Sequence, residues 1–266
     1  MNNTLTQRKK MSKKKKLPKV LIGCPTFDGK NYCFDDWLKN INSFTYSNFD
    51  IFLADNSDTS DNSKMYKEKY GLNCKWITNE ENKSSILKRV TDGHNAVRQY
   101  MLDNDYDFLL HLESDVFPPK DIINTLLAHN KQLVGATYFL YDDDIRELMV
   151  RIMDTDYGGE SAMINGENAE LMVDGELKSV WSIGLGCNLI HKSVFDNIKF
   201  KEAEQGGALI FSDTNFSISA RKESIAQYWD TSICCEHRNR NWQNYGDKFL
   251  VKLFSRDNKY SDKHKI

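Results

Sequence analysis

The chain is predicted to be an α/β domain with a mixed, mostly parallel central sheet flanked by helices, on three observations. Apolar runs of strand length at 19–26, 50–54 and 107–112 alternate with helical patterns at 34–43 and 85–102, the arrangement of parallel strands joined by crossover helices. The runs end in proline or in polar turn formers, at the strand ends where open α/β sheets carry their ligands. With 266 residues, 40% hydrophobic and 28% charged, the composition is that of a globular protein able to bury a substantial core.

The segment 107–119 organises the rest. Its apolar first half reads as a buried strand, and it ends in Glu113-Ser114-Asp115 before Pro118-Pro119, which cannot continue a ladder. If the strand stays extended, alternation turns both carboxylates to one side, where two acids can face one cation or one polyol. Burying paired acids without such a partner is costly. A helix over 121–129 follows, with Asp121 as candidate N-cap.

The first strand stops at Pro25-Thr26, and 27–30 form a turn. The first helix has Phe34, Trp37, Leu38 and Ile41 at helical spacing. The second strand runs into the polar loop 55–61, opened by Asp55-Asn56-Ser57, and 75–77 suit a third strand. The helix over 85–102 turns Ile86, Leu87, Val90, Ala96 or Val97, Tyr100 and Met101 inward. Neither a G-x-G-x-x-G after the first strand nor a Walker A pattern is present.

Residues 132–140 form another apolar strand, and 141–179 read as a hairpin-like insertion over the open face of the sheet. Residues 180–191 form a strand pair or bent strand, in which Gly184 and Gly186 permit close approach of backbone or ligand. Helices at 193–198 and 213–223 and a strand at 227–233 lead to Glu236-His237-Arg238. The domain plan is a basic disordered tail at 1–18, a domain at 19–242 divided near 115, and a C-terminal tail at 243–266.

A net charge of −2 argues against a wholly basic nucleic-acid binder, although Arg8, Lys9, Lys10 and Lys13 to Lys16 crowd the N-terminus. With no aromatic residues interleaved, that run reads first as a solubilising tail. Weak contact with anionic membrane or nucleic acid is the alternative. No apolar run spans a bilayer and no signal-type segment follows the basic start. Six cysteines without zinc-type spacing read as reduced thiols. The expected location is cytoplasmic, with peripheral membrane contact through the tail as the variant.

Taken in order, Pro25-Thr26, Asp55-Asn56-Ser57, Glu113-Ser114-Asp115 as a variant D-x-D, Gly184-x-Gly186-Cys187, Asp213 at a helix start and His237 after the last strand resemble a GT-A glycosyltransferase close to family 2. The resemblance covers residues 20–237. It implies the Rossmann-like nucleotide-diphospho-sugar transferase fold and a hexosyltransferase-like activity. The donor would be a UDP- or GDP-sugar and the cofactor Mn²⁺ or Mg²⁺. Pro25 and Thr26 would line the nucleotide pocket, and Asp55, with Asn56 and Ser57, would meet the base. Glu113 and Ser114 would lie near the ribose or sugar, with Gly186 close to the donor. Asp115 and His237 would hold the metal, and Asp213 would deprotonate the acceptor hydroxyl in an inverting reaction.

The chain departs from the pattern at Glu113, a glutamate for the first aspartate, and at His94, where such helices often carry arginine. The diphosphate-facing cation is then open among Arg89, Arg98 and Lys88. In the chemistry implied, a dication stabilises the leaving diphosphate as a Lewis acid. A base on the attacking hydroxyl contributes on the order of 10²–10⁴-fold. A helix start favours the ionised form of Asp213, although that residue also suits a plain N-cap. A retaining reaction and a catalytically silent nucleotide-sugar or glycan-binding module are the rivals. A sugar-phosphate nucleotidyltransferase is disfavoured because Cys24-Pro25-Thr26-Phe27 stands where that class has a glycine-rich loop. Glycan, lipid-linked sugar, protein side chain and modified DNA base all remain open as acceptor.

Overall fold

Strand β1 (Val20–Thr26) is buried along almost its whole length and stands inside the main sheet. Its residues alternate between two apolar layers, Val20 and Ile22 in one and Leu21 in the other, the period-two signature of a strand covered on both faces. A computed structural model describes residues 17–142, 145–154, 160–165, 172–205, 208–239 and 242. The basic run before Leu17 and the C-terminal tail expected at 243–266 lie outside the described residues.

The first half runs β1, α1 (Phe34–Asn42), β2 (Phe49–Asp55), α2 (Asp61–Tyr70), β3 (Asn73–Trp76), α3 (Ile86–Asp103) and β4 (Phe108–Leu112). The second half begins with β5 (Val116–Phe117), α4 (Ile122–Ala128), β6 (Leu133–Thr137), β7 (Phe139–Asp142), β8 (Ile145–Asp154) and β9 (Glu160–Asn165). It continues through β10 (Leu177–Val180), β11 (Ser182–Ile183), β12 (Cys187–His191), β13 (Ala203–Gln205) and β14 (Ala208–Ile210). It ends with α5 (Ser212–Lys222), β15 (Gln227–Cys234) and β16 (Glu236–His237).

Eight strands form the central sheet in the order β10-β15-β6-β12-β4-β1-β2-β3. The pairs β4/β1, β1/β2, β2/β3 and β6/β15 are parallel. Strand β12 runs antiparallel between β4 and β6, and β10 antiparallel along β15. Helices α1, α2 and α4 cover one face through Trp37, Tyr66 and Leu126. Helices α3 and α5 cover the other through Val97, Met101 and Phe216.

Four expectations change. Loop 55–61 is shorter than its composition implied, because α2 begins at Asp61 and is closed by Gly71 in the left-handed region at φ 66°. Strand 132–140 divides at Tyr138: β6 stays in the central sheet and β7 leaves to pair with β8. The hairpin-like insertion gives β8 and β9 to a second antiparallel sheet, β11-β8-β7 with β9 on β8, while β10 at its end joins the central sheet. On α3, capped by Ser85 Oγ accepting from Lys88 N, Ile86 is 69% exposed, and Thr91, His94 and Arg98 are buried in its place. Gly93 lets α3 lie on β1, since a Cβ there would stand 2.9 Å from Pro25 Cβ.

All six cysteines are free and buried. Among the described residues no helix is long and apolar enough to cross a membrane.

Candidate metal and nucleotide site

Two carboxylates arrive at the end of β4 through a turn, which corrects the alternation expected from the sequence. The strand stops at Leu112, and Val116 N donates to Glu113 O at 3.0 Å across the turn. Glu113 N donates to Gly186 O at 3.0 Å, so the loop ahead of β12 braces the first acid. The short ladder between β5 and β16 sets His237 opposite Val116, and Arg238 N donates to Asp115 O at 2.8 Å. That ladder brings the end of the chain's last strand to the acidic turn.

His237 is oriented from behind. Its Nδ1 lies 2.9 Å from Phe139 O, an acceptor, so Nδ1 carries the proton. Nε2 then faces Asp115 Oδ2 at 3.4 Å. One ligand atom each from Glu113, Asp115 and His237 can be chosen so that all lie within 4.8 Å of one another. Burial works to raise Asp115, but the hydrogen bond and charge of His237, with the charge of Lys30, hold it down at about 2. Burial and the neighbouring Asp115 charge raise Glu113. Burial lowers His237, and Asp115 more than reverses that.

These residues fit a dication. Asp115 Oδ1 is buried without a hydrogen-bond partner, although such atoms are normally paired. Two carboxylates and a neutral imidazole form a hard oxygen and nitrogen donor set suited to Mn²⁺ or Mg²⁺. The Phe139 carbonyl supplies the outer hydrogen bond that fixes a ligating histidine.

A cavity of about 220 Å³ opens beside the cluster. Of the residues named from sequence, Pro25, Thr26, Asn56, Glu113, Ser114, Asp115 and Asp213 line it. Thr26 Oγ1 and Ser114 Oγ lie 3.0 Å apart, tying the end of β1 to the acidic turn. Asp55 is fully buried behind this wall. Its Oδ1 accepts from Ser57 N at 3.1 Å, Ser57 Oγ at 2.5 Å and Asn62 Nδ2 at 3.3 Å. Oδ2 is buried without a partner. Asp55, which the resemblance set at the base, forms the plain turn and does not line the cavity. Ser57 braces rather than lines, because its Oγ also accepts from Asp28 N at 2.9 Å.

The candidate cations are engaged elsewhere. Arg89 Nη1 reaches Asp58 Oδ1 at 2.5 Å and Asn56 O at 3.3 Å. Arg98 Nε donates to Ile198 O at 2.9 Å, and Lys88 Nζ to Asp92 Oδ2 at 3.0 Å. None of the three lines the cavity; Lys30, which the sequence reading left as a turn residue, does. Its Nζ contacts Asp115 Oδ2. Gly186 is also corrected: its N–H donates to Tyr138 Oη at 2.8 Å, and an added Cβ would meet the Tyr138 ring at 2.5 Å. This glycine accommodates a tyrosine, not a ligand.

Asp213 is the second residue of α5, and Phe211 holds the N-cap position, so the plain N-cap reading is set aside. Its Oδ1 accepts from Thr214 N at 2.6 Å. Burial raises Asp213 above the ordinary carboxylate range, outweighing the backbone hydrogen bonds and the helix start. The residue also lines a second cavity of about 90 Å³, with Arg151, Ser182 and Ser217. Histidine 94, on the cavity wall, sets Nδ1 2.9 Å from Ser212 Oγ and its ring 5.0 Å from that of the buried His111.

No protein-family model and no curated protein matches the chain. Solved structures do match in three dimensions, and they define the class: this is the GT-A glycosyltransferase fold. One is S. aureus TarS 1-349 in complex with UDP-GlcNAc, at TM-score 0.51 and 12% identity, covering 89% of this chain and 64% of that one. Another is GalNAc-T7 with UDP, GalNAc and Mn²⁺, at TM-score 0.58 and 10% identity, covering 90% of this chain and 48% of that one. The chain spans less than two thirds of the length of either.

Proposed function

We propose that this chain is a metal-dependent glycosyltransferase that moves a sugar from a UDP- or GDP-linked donor to an acceptor hydroxyl with inversion. The observation that carries the reading is the convergence of Glu113, Asp115 and His237 within 4.8 Å, two of them, Glu113 and Asp115, on the wall of a cavity that Asp213 also lines. The UDP-GlcNAc of the TarS complex and the UDP, GalNAc and Mn²⁺ of the GalNAc-T7 complex make UDP-N-acetylhexosamines the first donors to test.

In this reading Asp115 and His237, with Glu113 beside them, hold Mn²⁺ or Mg²⁺, which supplies Lewis-acid stabilisation of the departing diphosphate. Thr26, Asn56 and Ser114 orient the nucleotide along the cavity, and Asp55 braces the loop behind them through Ser57. Asp213 takes the proton of the acceptor hydroxyl as its oxygen bonds to the anomeric carbon. Its raised proton affinity suits a base better than an ordinary aspartate would. Both Asp213 and Arg151 border the second cavity, which supports that cavity as the acceptor's approach.

The test is a screen of UDP- and GDP-sugars with and without Mn²⁺, read by thermal shift and donor hydrolysis. Metal-dependent binding and turnover of one donor are expected. If neither responds to metal, the reading is lost. Anomeric configuration of the product, by NMR, decides between inversion and retention.

A further inference from the structure

Lys30 ends the 3-10 turn Asp28–Lys30 that follows β1. The turn is fixed, since Lys30 N donates to Phe27 O at 2.9 Å and Asp28 N donates to Ser57 Oγ at 2.9 Å. From this base the side chain, 28% exposed, reaches inward to the fully buried Asp115. It contacts Oδ2, the oxygen that faces Nε2 of His237 at 3.4 Å. Two cations on one carboxylate oxygen repel each other strongly where water is excluded, so ammonium and dication exclude one another there. Among the described residues that line the cavity, Lys30 is the one lysine or arginine. A lysine is a compact charge on a flexible four-carbon stem, able to leave one partner for another nearby, and it binds phosphate as a point charge.

We propose that Lys30 is the cation that binds the donor's diphosphate, and that the same ammonium holds the dication's place on Asp115 until metal and nucleotide enter together. The inference rests on the donor reading above and adds a residue and an order to it. Without nucleotide, the metal must displace the ammonium and leave it unpaired. With nucleotide present, the diphosphate receives the ammonium, so the two ligands assist one another.

The experiment compares wild type with Lys30→Met and Lys30→Gln, with Lys30→Arg retaining the charge. Mn²⁺ affinity of the nucleotide-free protein is read by EPR of free Mn²⁺, and UDP affinity at saturating Mn²⁺ by calorimetry. In both neutral variants Mn²⁺ should bind tighter, and UDP weaker, each on the order of 10-fold, as for losing one charge-assisted hydrogen bond. The Mn²⁺-induced rise in Tm should be larger in the neutral variants than in wild type, and Lys30→Arg should follow wild type. Wild-type binding of both ligands together with unchanged affinities in the neutral variants overturns this proposal alone. A wild type that binds neither UDP nor Mn²⁺ overturns the donor reading with it.

Discussion

His237 Nε2 lies 3.4 Å from Asp115 Oδ2, and a ladder of only two residue pairs between β5 and β16 brings them together. The Phe139 carbonyl holds Nδ1 and so fixes the ring with Nε2 facing the carboxylate. Replacing either group should therefore cost metal binding before it costs fold. His237→Ala and Asp115→Asn are each expected to weaken Mn²⁺ binding in the presence of UDP on the order of 100-fold, at or beyond the upper end of what outer-shell partners contribute. Calorimetry of Mn²⁺ into the UDP complex checks this. Affinity within a few-fold of wild type in both variants would remove these residues from the ligand set.

Asp213 should separate chemistry from binding. Asp213→Asn keeps the shape of the α5 start but cannot take a proton, so turnover should fall on the order of 10²–10⁴-fold while donor affinity stays near that of wild type. Because burial raises this carboxyl, the acid limb of the wild-type kcat profile should lie above the ordinary aspartate value of about 3.9. Activity is lost as pH falls through the raised value and the base becomes protonated. A profile whose acid limb is the same in a variant lacking Asp213 would assign the base elsewhere.

Much of this was legible in the sequence because strand ends carry the site. The runs that became β1, β2 and β4 are apolar and end in Pro25-Thr26, Asp55 and Glu113, and no tertiary knowledge was needed to see that. What stayed hidden depends on contacts remote in sequence. Gly186 looked like a ligand-side glycine, but only the packed Tyr138 ring shows what it admits. Lys30 looked like a turn residue because nothing local announces that its amine will reach Asp115. Arg98 stood with Arg89 and Lys88 as an open choice of phosphate cation, but it is taken up by the carbonyls of Phe195 and Ile198. The end of strand 132–140 at Tyr138 was equally unreadable, since both halves are apolar and only their partners differ.

The Gly186 finding leads to a packing prediction. A Cβ there would lie 2.5–2.9 Å from three carbons of the buried Tyr138 ring, inside van der Waals contact. Gly186→Ala should destabilise the fold by about 1–3 kcal/mol, the usual range for overpacking. It should also disturb Glu113, whose N–H is held by the Gly186 carbonyl. Denaturant unfolding gives the first effect, and Mn²⁺ affinity the second. In Gly186→Ala/Tyr138→Phe the ring, and so the clash, remains, whereas Gly186→Ala/Tyr138→Ala should recover the strain component.

Two buried histidines, His94 and His111, should make the domain less stable in acid. Burial holds His111 down at about 4, against a small opposing effect of its hydrogen bond to the Leu185 carbonyl. Burial also pushes His94 well below the ordinary value, with His111 beside it adding to the effect. In each case the unfolded chain binds a proton that the folded chain refuses, so stability rises with pH across this window. The contribution is fully present above about 6.5 and is lost as pH falls toward 4. For His111 alone the loss should reach about 2 kcal/mol by pH 5, from ~1.4 kcal/mol per pH unit. Urea unfolding at pH 7.5, 6 and 5 measures the slope in wild type and in His111→Leu. The variant should start less stable, because the Leu185 carbonyl loses its donor, yet decline less steeply with acid. Equal slopes in the two proteins would mean that His111 does not resist protonation in the fold.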